Sequence, residues 1–64
     1  MTIVSFYLEG GIVNTVEIPN KNFFQVNVNV LDQLNNNFIE MVLEKQTFMI
    51  QKSKLLMIEV KDEK

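Results

Sequence analysis

The chain has 64 residues, which suffices for one small domain, and we expect residues 1–64 to form it. It contains no cysteine and no histidine, which excludes disulfide frameworks, thiol nucleophiles and the common zinc sites. It also lacks arginine and has a formal net charge of -2, so it is not a polycation built to coat nucleic-acid phosphates. The apolar fraction of 47% is ordinary for a globular chain.

The small size predicts association. A chain of this length buries only about 60% of the surface that it exposes when unfolded. With no disulfide and no metal to add stability, a second copy or an obligate partner is the remaining way to bury more apolar surface. We therefore expect a homo-oligomer or a partner protein, with a compact monomer of marginal stability as the alternative.

No targeting or membrane segment is recognisable. The first apolar stretch is short and follows no lysine, unlike a signal peptide. The longest unbroken apolar run, Leu55 to Ile58, is far shorter than the roughly 20 residues of a membrane span. We expect a cytoplasmic protein with no membrane contact. Its composition, rich in asparagine and lysine, resembles proteins of AT-rich genomes, such as low-GC bacteria and their phages.

Residues 2–8 and 12–18 both alternate between apolar and polar side chains, as half-buried strands do. Glu9-Gly10-Gly11 between them predicts a hairpin turn. A three-residue loop pairs Leu8 with Ile12 and gathers the apolar side chains on one face, whereas a two-residue loop mixes them with polar ones. We therefore predict the three-residue loop, with a glycine in the left-handed conformation. The predicted buried face consists of Val4, Phe6, Leu8, Ile12, Val16 and Ile18.

The middle of the chain fits two patterns. Pro19 ends the second strand, and Asn20 is a candidate helix N-cap. Within residues 21–36, residues 26–30 alternate valine and asparagine, which favours a strand. Apolar side chains also recur at helical spacing, with Asn27 as the one polar intruder. Because the helical pattern spans more residues, we predict an amphipathic helix that ends before a run of three asparagines. The predicted apolar arc consists of Phe23, Phe24, Val30, Leu31 and Leu34.

A second hairpin is predicted after the helix. A tight turn at Lys45-Gln46 places Leu43 opposite Phe48 and Met41 opposite Ile50, all on one apolar face. Neither turn residue favours a positive φ, so a slightly longer loop is the alternative.

The last predicted strand covers residues 55–60, after a polar break at residues 51–54. Leu56, Ile58 and Val60 alternate along it and are predicted to face the core. The polar residues that follow are predicted to be a solvated tail.

Candidate catalytic groups are few. Glu40 and Glu44 lie four residues apart on a predicted strand, about 13 Å, which is too far for a paired carboxylate site. Asp32 lacks the further acidic residues of a calcium loop. Gly10-Gly11 belongs to no phosphate-binding motif. We therefore expect no enzyme activity, no metal and no cofactor.

Residues 45–54 carry Lys45, Lys52 and Lys54 without an acidic residue. Nucleic-acid binding would need such lysines beside exposed aromatic side chains, and the absence of arginine removes the usual reader of phosphates and base edges. A solvated lysine edge that discourages aggregation between strands is the favoured interpretation. The aromatic residues predicted to lie in the core are Phe24, Phe38 and Phe48.

The methionines give the strongest indication of function. Met41 is predicted to fill the core, whereas Met49 and Met57 fall on the opposite strand face, beside Val42 and Leu55. A second apolar sheet face needs a partner to cover it. The predicted partner-binding residues are Val42, Met49, Leu55 and Met57, with Lys52 and Lys54 at the rim.

The segment FMIQKSKLLMIEV, from Phe48 to Val60, resembles two groups of proteins. It is similar to the end of small phage and plasmid proteins of the β-β-α-β-β kind, which close with a strand, a polar turn and a last strand. It also resembles the second motif of the Sm-like RNA-binding family, in which Arg-Gly separates two apolar strands. Gln51-Lys52 stands in that place here, so Lys52 alone would carry over as an RNA contact.

Together these observations predict a single α+β domain with an N-terminal β-hairpin, one short amphipathic helix and then antiparallel strands. The alternative fold is a small all-β barrel of the SH3 or Sm-like kind. For function we expect a non-enzymatic protein-interaction module that acts as a homodimer. A phage or mobile-element accessory protein that regulates or inhibits a host protein would fit this description. The alternative function is a small barrel that binds nucleic acid.

Overall fold

The computed structural model describes residues 1–63, which form five strands and one α-helix. A short 3-10 turn separates the last two strands. In chain order the elements are β1 (Thr2–Leu8), β2 (Ile12–Ile18), α1 (Phe23–Asp32), β3 (Phe38–Val42), β4 (Thr47–Gln51), the 3-10 turn (Lys52–Lys54) and β5 (Leu55–Asp62).

The N-terminal hairpin confirms the predicted register. Leu8 lies opposite Ile12, so the loop between β1 and β2 has three residues. Gly10 and Gly11 both have positive φ, 84° and 77°, in the region that side chains other than glycine rarely adopt. The register that gathers the apolar side chains on one face is therefore the one that the chain adopts.

β5 pairs antiparallel with β1 on the side away from β2, so the order of this sheet is β2-β1-β5. Met57 lies opposite Tyr7, but the next pair is Leu8 with Leu55, which leaves Leu56 as an extra residue. Such a β-bulge moves the preceding residue to the other face of the strand. Leu55 is therefore half-buried against the core, and Leu56 is 71% exposed. The prediction that Leu56 faces the core is wrong.

α1 confirms the helix predicted within residues 21–36. Its N-cap is Asn22, so the prediction of Asn20 is wrong. The Asn22 side chain accepts a hydrogen bond from the Gln25 backbone N–H at 2.9 Å, and the Gln25 side chain accepts one from the Asn22 N–H at 3.4 Å. This reciprocal capping box needs glutamine or glutamate three residues after the cap, whereas Phe23 stands there for Asn20.

The buried face of α1 differs from the predicted arc. Val26 and Val30, one turn apart, are its buried side chains. Phe24 and Leu31, both predicted to be buried, are 73% and 56% exposed. The helix carries two neighbouring apolar ridges, and the ridge of short valine side chains packs on the sheet. The ridge of larger side chains consequently faces outward.

β3 and β4 form a separate two-stranded antiparallel sheet. Met41 lies opposite Phe48, so the prediction of Met41 opposite Ile50 is wrong by two residues. The loop spans residues 43–46 and is closed by a 2.7 Å hydrogen bond from its first N–H to its last carbonyl. This is the longer loop that was the alternative, and among the described residues other than glycine none has a positive φ. A shift of two residues keeps every side chain on its predicted face.

Gln33 joins the end of α1 to β3. Its side-chain amide donates to the Glu40 carbonyl at 2.9 Å and accepts from the Glu40 N–H at 2.7 Å. The two sheets share no ladder, so this bridge is one of the polar contacts that fix β3 relative to the rest of the molecule.

The core lies between the three-stranded sheet and a layer made of α1 and the β3–β4 sheet. The predicted α+β fold is confirmed, and the barrel alternative is wrong, because the strands of residues 1–63 form two separate sheets and no closed barrel. The buried apolar residues are Val4, Phe6, Val16, Ile18, Val26, Val30, Ile39 and Met41.

Candidate interaction surfaces

The outer face of the β3–β4 sheet carries three large apolar side chains. Phe38, Val42 and Met49 alternate with the buried positions of these strands and are 52%, 61% and 66% exposed. Met49 lies opposite Glu40 and diagonal to both Phe38 and Val42. Side chains at diagonal positions are about 7–8 Å apart, so the three residues are neighbours. We call Phe38, Val42 and Met49 the hairpin surface.

The sequence of β3 explains this surface. Ile39 and Met41 fill the inner face and are almost fully buried. Glu40 lies between Phe38 and Val42 on the outer face of β3, so this face is half apolar and half polar. A sheet face in water is normally mainly polar. Three large exposed apolar side chains at diagonal positions make this face a candidate interaction surface.

A second apolar surface borders a groove of about 430 Å³ between α1 and β5. Leu31 and Leu34 line it on the helix side, and Leu56 and Ile58 line it on the strand side. Phe24 lies on the same outward flank of the helix as Leu31, seven residues earlier, and is 73% exposed. We call Phe24, Leu31, Leu34 and Leu56 the helix–edge surface.

The outer face of the three-stranded sheet has a polar row at its centre. The hydroxyl oxygens of Ser5 and Thr15 lie 3.3 Å apart on neighbouring strands, and Glu59 lies opposite Ser5 on the other side. Met57 and Val13 lie on either side of Tyr7 and are 51% and 52% exposed. This face is therefore polar at its centre and apolar at one end.

The structure divides the predicted partner-binding residues among three places. Val42 and Met49 lie together on the hairpin surface. Met57 lies on the outer face of the other sheet, and Leu55 is half-buried against the core because of the bulge. The four residues therefore do not form one surface.

The two predicted rim lysines contact the protein itself. The Lys52 amine donates to the Leu34 carbonyl, and the Lys54 amine lies 4.0 Å from a carboxylate oxygen of Glu9 at an exposed position. Lys45 lies in the loop before β4 and Lys52 lies just after it, so the whole strand of five residues, about 16 Å long, separates them. The three lysines are therefore not one basic patch.

Sequence reasoning missed much of both apolar surfaces. Phe38 and Phe24 are aromatic, and such residues are usually buried, so both were predicted to lie in the core. The signal for Phe38 was present, since its alternation with Ile39 places it on the outer face. No local signal marks Leu56, because its exposure depends on the pairing with β1.

Acidic side chains are dispersed in the described chain. Glu40 is exposed on β3, and Glu44 lies in the β3–β4 loop rather than on the same strand as predicted. Within residues 1–63, no group of three or more acidic, cysteine or histidine side chains is arranged to hold a metal ion. The same residues contain no helix whose length and apolarity would let it cross a membrane.

A scan against protein-family models gives no match, and searches of curated proteins and of solved structures give none either.

Proposed function

We propose that this protein is a non-enzymatic protein-interaction module that acts as a homodimer and binds a different protein through the hairpin surface. The observation that carries the proposal is the contiguous exposure of Phe38, Val42 and Met49 on a sheet whose other face already fills the core. Exposed apolar side chains that stand singly are ordinary, but a contiguous group with polar residues around it is typical of a binding site.

The hairpin surface also has features that suit a protein ligand. Met49, at its centre, is unbranched and adapts its shape to apolar neighbours. Glu40 lies beside Met49 and can orient a lysine or arginine of the partner. Glu40 also lies between Phe38 and Val42, so a cation of the partner would contact this surface at the same place as its apolar groups.

The partner that we propose is a host protein, regulated or inhibited by this chain in the manner of a phage or mobile-element accessory protein. The AT-rich composition and the resemblance of the C-terminal segment to small phage and plasmid proteins support this choice. An inhibitor that acts by occupying a surface of its target needs an apolar patch and no catalytic groups.

The test is affinity capture from a lysate of a low-GC bacterium, with and without nuclease, read by mass spectrometry. We expect one stoichiometric protein that survives nuclease. Met49→Asp and Val42→Asp should each reduce its capture at least about tenfold, since a buried unpaired carboxylate is strongly unfavourable at an interface. Val13→Asp is the matched control, because Val13 is 52% exposed but lies on β2 in the other sheet.

Two outcomes would contradict this function. Capture that is lost equally in Val42→Asp and Val13→Asp would show that the hairpin surface is not the contact. If the captured protein is lost after nuclease treatment, the nucleic-acid alternative is favoured. Binding of nucleic acid would depend on Lys52 and Lys54 and would weaken steeply with salt.

A further inference from the structure

We propose that two copies of the chain pair through the free edge of β5 across a two-fold axis, so that the sheets join in the order β2-β1-β5-β5-β1-β2. This inference rests on the proposed function in one respect, since it specifies the homodimer named there. It concerns the helix–edge surface and leaves the hairpin surface free for a different protein.

The backbone of β5 offers a complete set of groups for such pairing. Met1 and Glu63 exchange two hydrogen bonds at the end of the β1–β5 ladder, at 2.9 and 3.2 Å. Bonded and non-bonded pairs alternate in an antiparallel ladder, so the N–H and C=O groups of Ile58, Val60 and Asp62 point away from β1. Within the described chain, no turn, cap or side-chain hydrogen bond engages these groups. The edge is therefore open.

Charge selects the register of the two copies. With Val60 on the axis, Glu59 of each copy lies opposite Lys61 of the other copy, so opposite charges meet twice. With Glu59 on the axis, the two Glu59 carboxylates would face each other, which is unfavourable. Within each copy Lys61 lies 3.8 Å from an exposed Glu63 carboxylate, a contact of little strength that pairing can replace.

The same register also satisfies the backbone. Val60 then forms a hydrogen-bonded pair with Val60 of the second copy, and Ile58 forms one with Asp62 of the second copy on each side of the axis. About six backbone hydrogen bonds result. One register therefore meets both the charge and the hydrogen-bond requirement.

The helix–edge surface is the apolar part of this interface. α1 packs over β5, and the groove between them opens beside the free edge. In the joined sheet both copies of α1 lie on the same face, one on each side of the axis. We propose that Leu31 and Phe24 of the two copies face each other across the axis, whereas Leu56 lies about 13 Å along the strand from the axis, on the side of the other copy's helix. A two-fold interface must be self-complementary in this way.

The other edges of the sheets do not suit self-pairing equally well. β2 and β3 each have one charged residue, Glu17 and Glu40, and β4 has none. No two-fold register can therefore bring opposite charges together on any of these three strands. β5 also differs from them in having an apolar helix flank beside it.

The first test is a charge exchange measured by sedimentation equilibrium. Glu59→Lys places lysines opposite each other twice and should weaken the dimer by about tenfold to a hundredfold. The double variant Glu59→Lys, Lys61→Glu restores opposite charges and should restore the dimer. Glu17→Lys makes the same charge change on the same sheet face of β2 and should leave the dimer unchanged. Circular dichroism checks that each variant is folded.

The second test uses cysteines, which the natural chain lacks. Residues in a non-hydrogen-bonded pair have Cα atoms about 4.5 Å apart, within the range of a disulfide. Glu59→Cys and Lys61→Cys proteins, mixed and oxidised, should therefore form the mixed disulfide in excess over either symmetric one.

Three results would overturn the inference: a monomeric natural chain at high concentration, a dimer that Glu59→Lys does not weaken, or a dominant disulfide between two copies of Glu59→Cys. These failures are distinct from failure of the proposed function. A monomer that still captures a protein through Met49 contradicts only the dimer. A dimer whose Met49→Asp variant captures the same proteins as the natural chain contradicts only the hairpin surface as the binding site.

Discussion

The two sheets of this protein present different faces to water. In the three-stranded sheet, Val4 and Phe6 of the central strand are fully buried, and a polar row of Ser5 and Thr15 crosses the centre of the outer face. In the β3–β4 sheet, Ile39 and Met41 are equally well buried, but the outer face exposes Phe38 and its apolar neighbours. Both sheets alternate with the same period, so the difference lies in which residues occupy the outward positions.

The two sheets also differ in the strand pairing that supports them. β1 has a paired strand on each side, and its sheet is stable with one apolar face. A two-stranded sheet is marginal by itself in water and depends on what packs against it. In β3–β4 the core covers the inner face, and Phe38, Val42 and Met49 stay exposed on the outer face.

The largest expected effect is on stability. It compares a phenylalanine on the inner face of the three-stranded sheet with one on the outer face of the β3–β4 sheet. Phe6→Ala removes a fully buried ring and should lower the free energy of unfolding by about 3–5 kcal/mol. A domain this small has little more stability than that, so most molecules of this variant should be unfolded. Phe38→Ala deletes the same ring at a position that is 52% exposed and should change stability by less than about 0.5 kcal/mol. Urea denaturation followed by circular dichroism measures both. A large loss in Phe38→Ala would mean that the hairpin surface is already packed in the isolated protein.

A smaller effect tests how the β3–β4 sheet is attached. Gln33→Ala removes two hydrogen bonds to the Glu40 backbone and should lower stability by about 1–2 kcal/mol. Hydrogen exchange should show faster exchange of the Glu40 amide, while the amides of β1 stay protected. Gln51→Ala, at an exposed position of β4, is the control and should have little effect. Unchanged protection of Glu40 would show that this bridge does not hold β3 in place.

The smallest effect concerns the helix that both sheets contact. Asn22→Ala removes the capping side chain and should cost about 1 kcal/mol, read as a lower midpoint in urea. Asn20→Ala should be close to neutral, because Asn20 lies outside the capping box. If Asn20→Ala and Asn22→Ala lowered stability equally, the helix would begin earlier than Phe23, where the structure has it begin.

Part of the candidate site was predictable because it depends on alternation alone. Val42 and Met49 are each one residue away from core positions on their strands, so their outward orientation followed directly from the sequence. Phe38 has the same relation to the core, but its aromatic ring favoured burial and the prediction for it was wrong. Residue type and periodicity conflicted there, and periodicity was the better guide.

The helix–edge surface could not be predicted, because it depends on packing between layers. The helical pattern correctly indicated α1 but could not decide whether Val26 or Leu31 faces the sheet, since both ridges are apolar. The bulge that exposes Leu56 arises where β5 must match both the β1–β2 loop and the 3-10 turn. Neither constraint is visible within the strand itself.

The sequence alone determined the first hairpin, its register and the presence of one helix and further antiparallel strands. These features follow from local periodicity, glycine conformation and proline, all of which act between residues close in the chain. Only the tertiary structure decided the rotation of α1, the register of β3–β4, the bulge and the open edge of β5. These features follow from how side chains of distant segments fill one shared core. The pattern of residues within a single segment does not show which arrangement fills that core best.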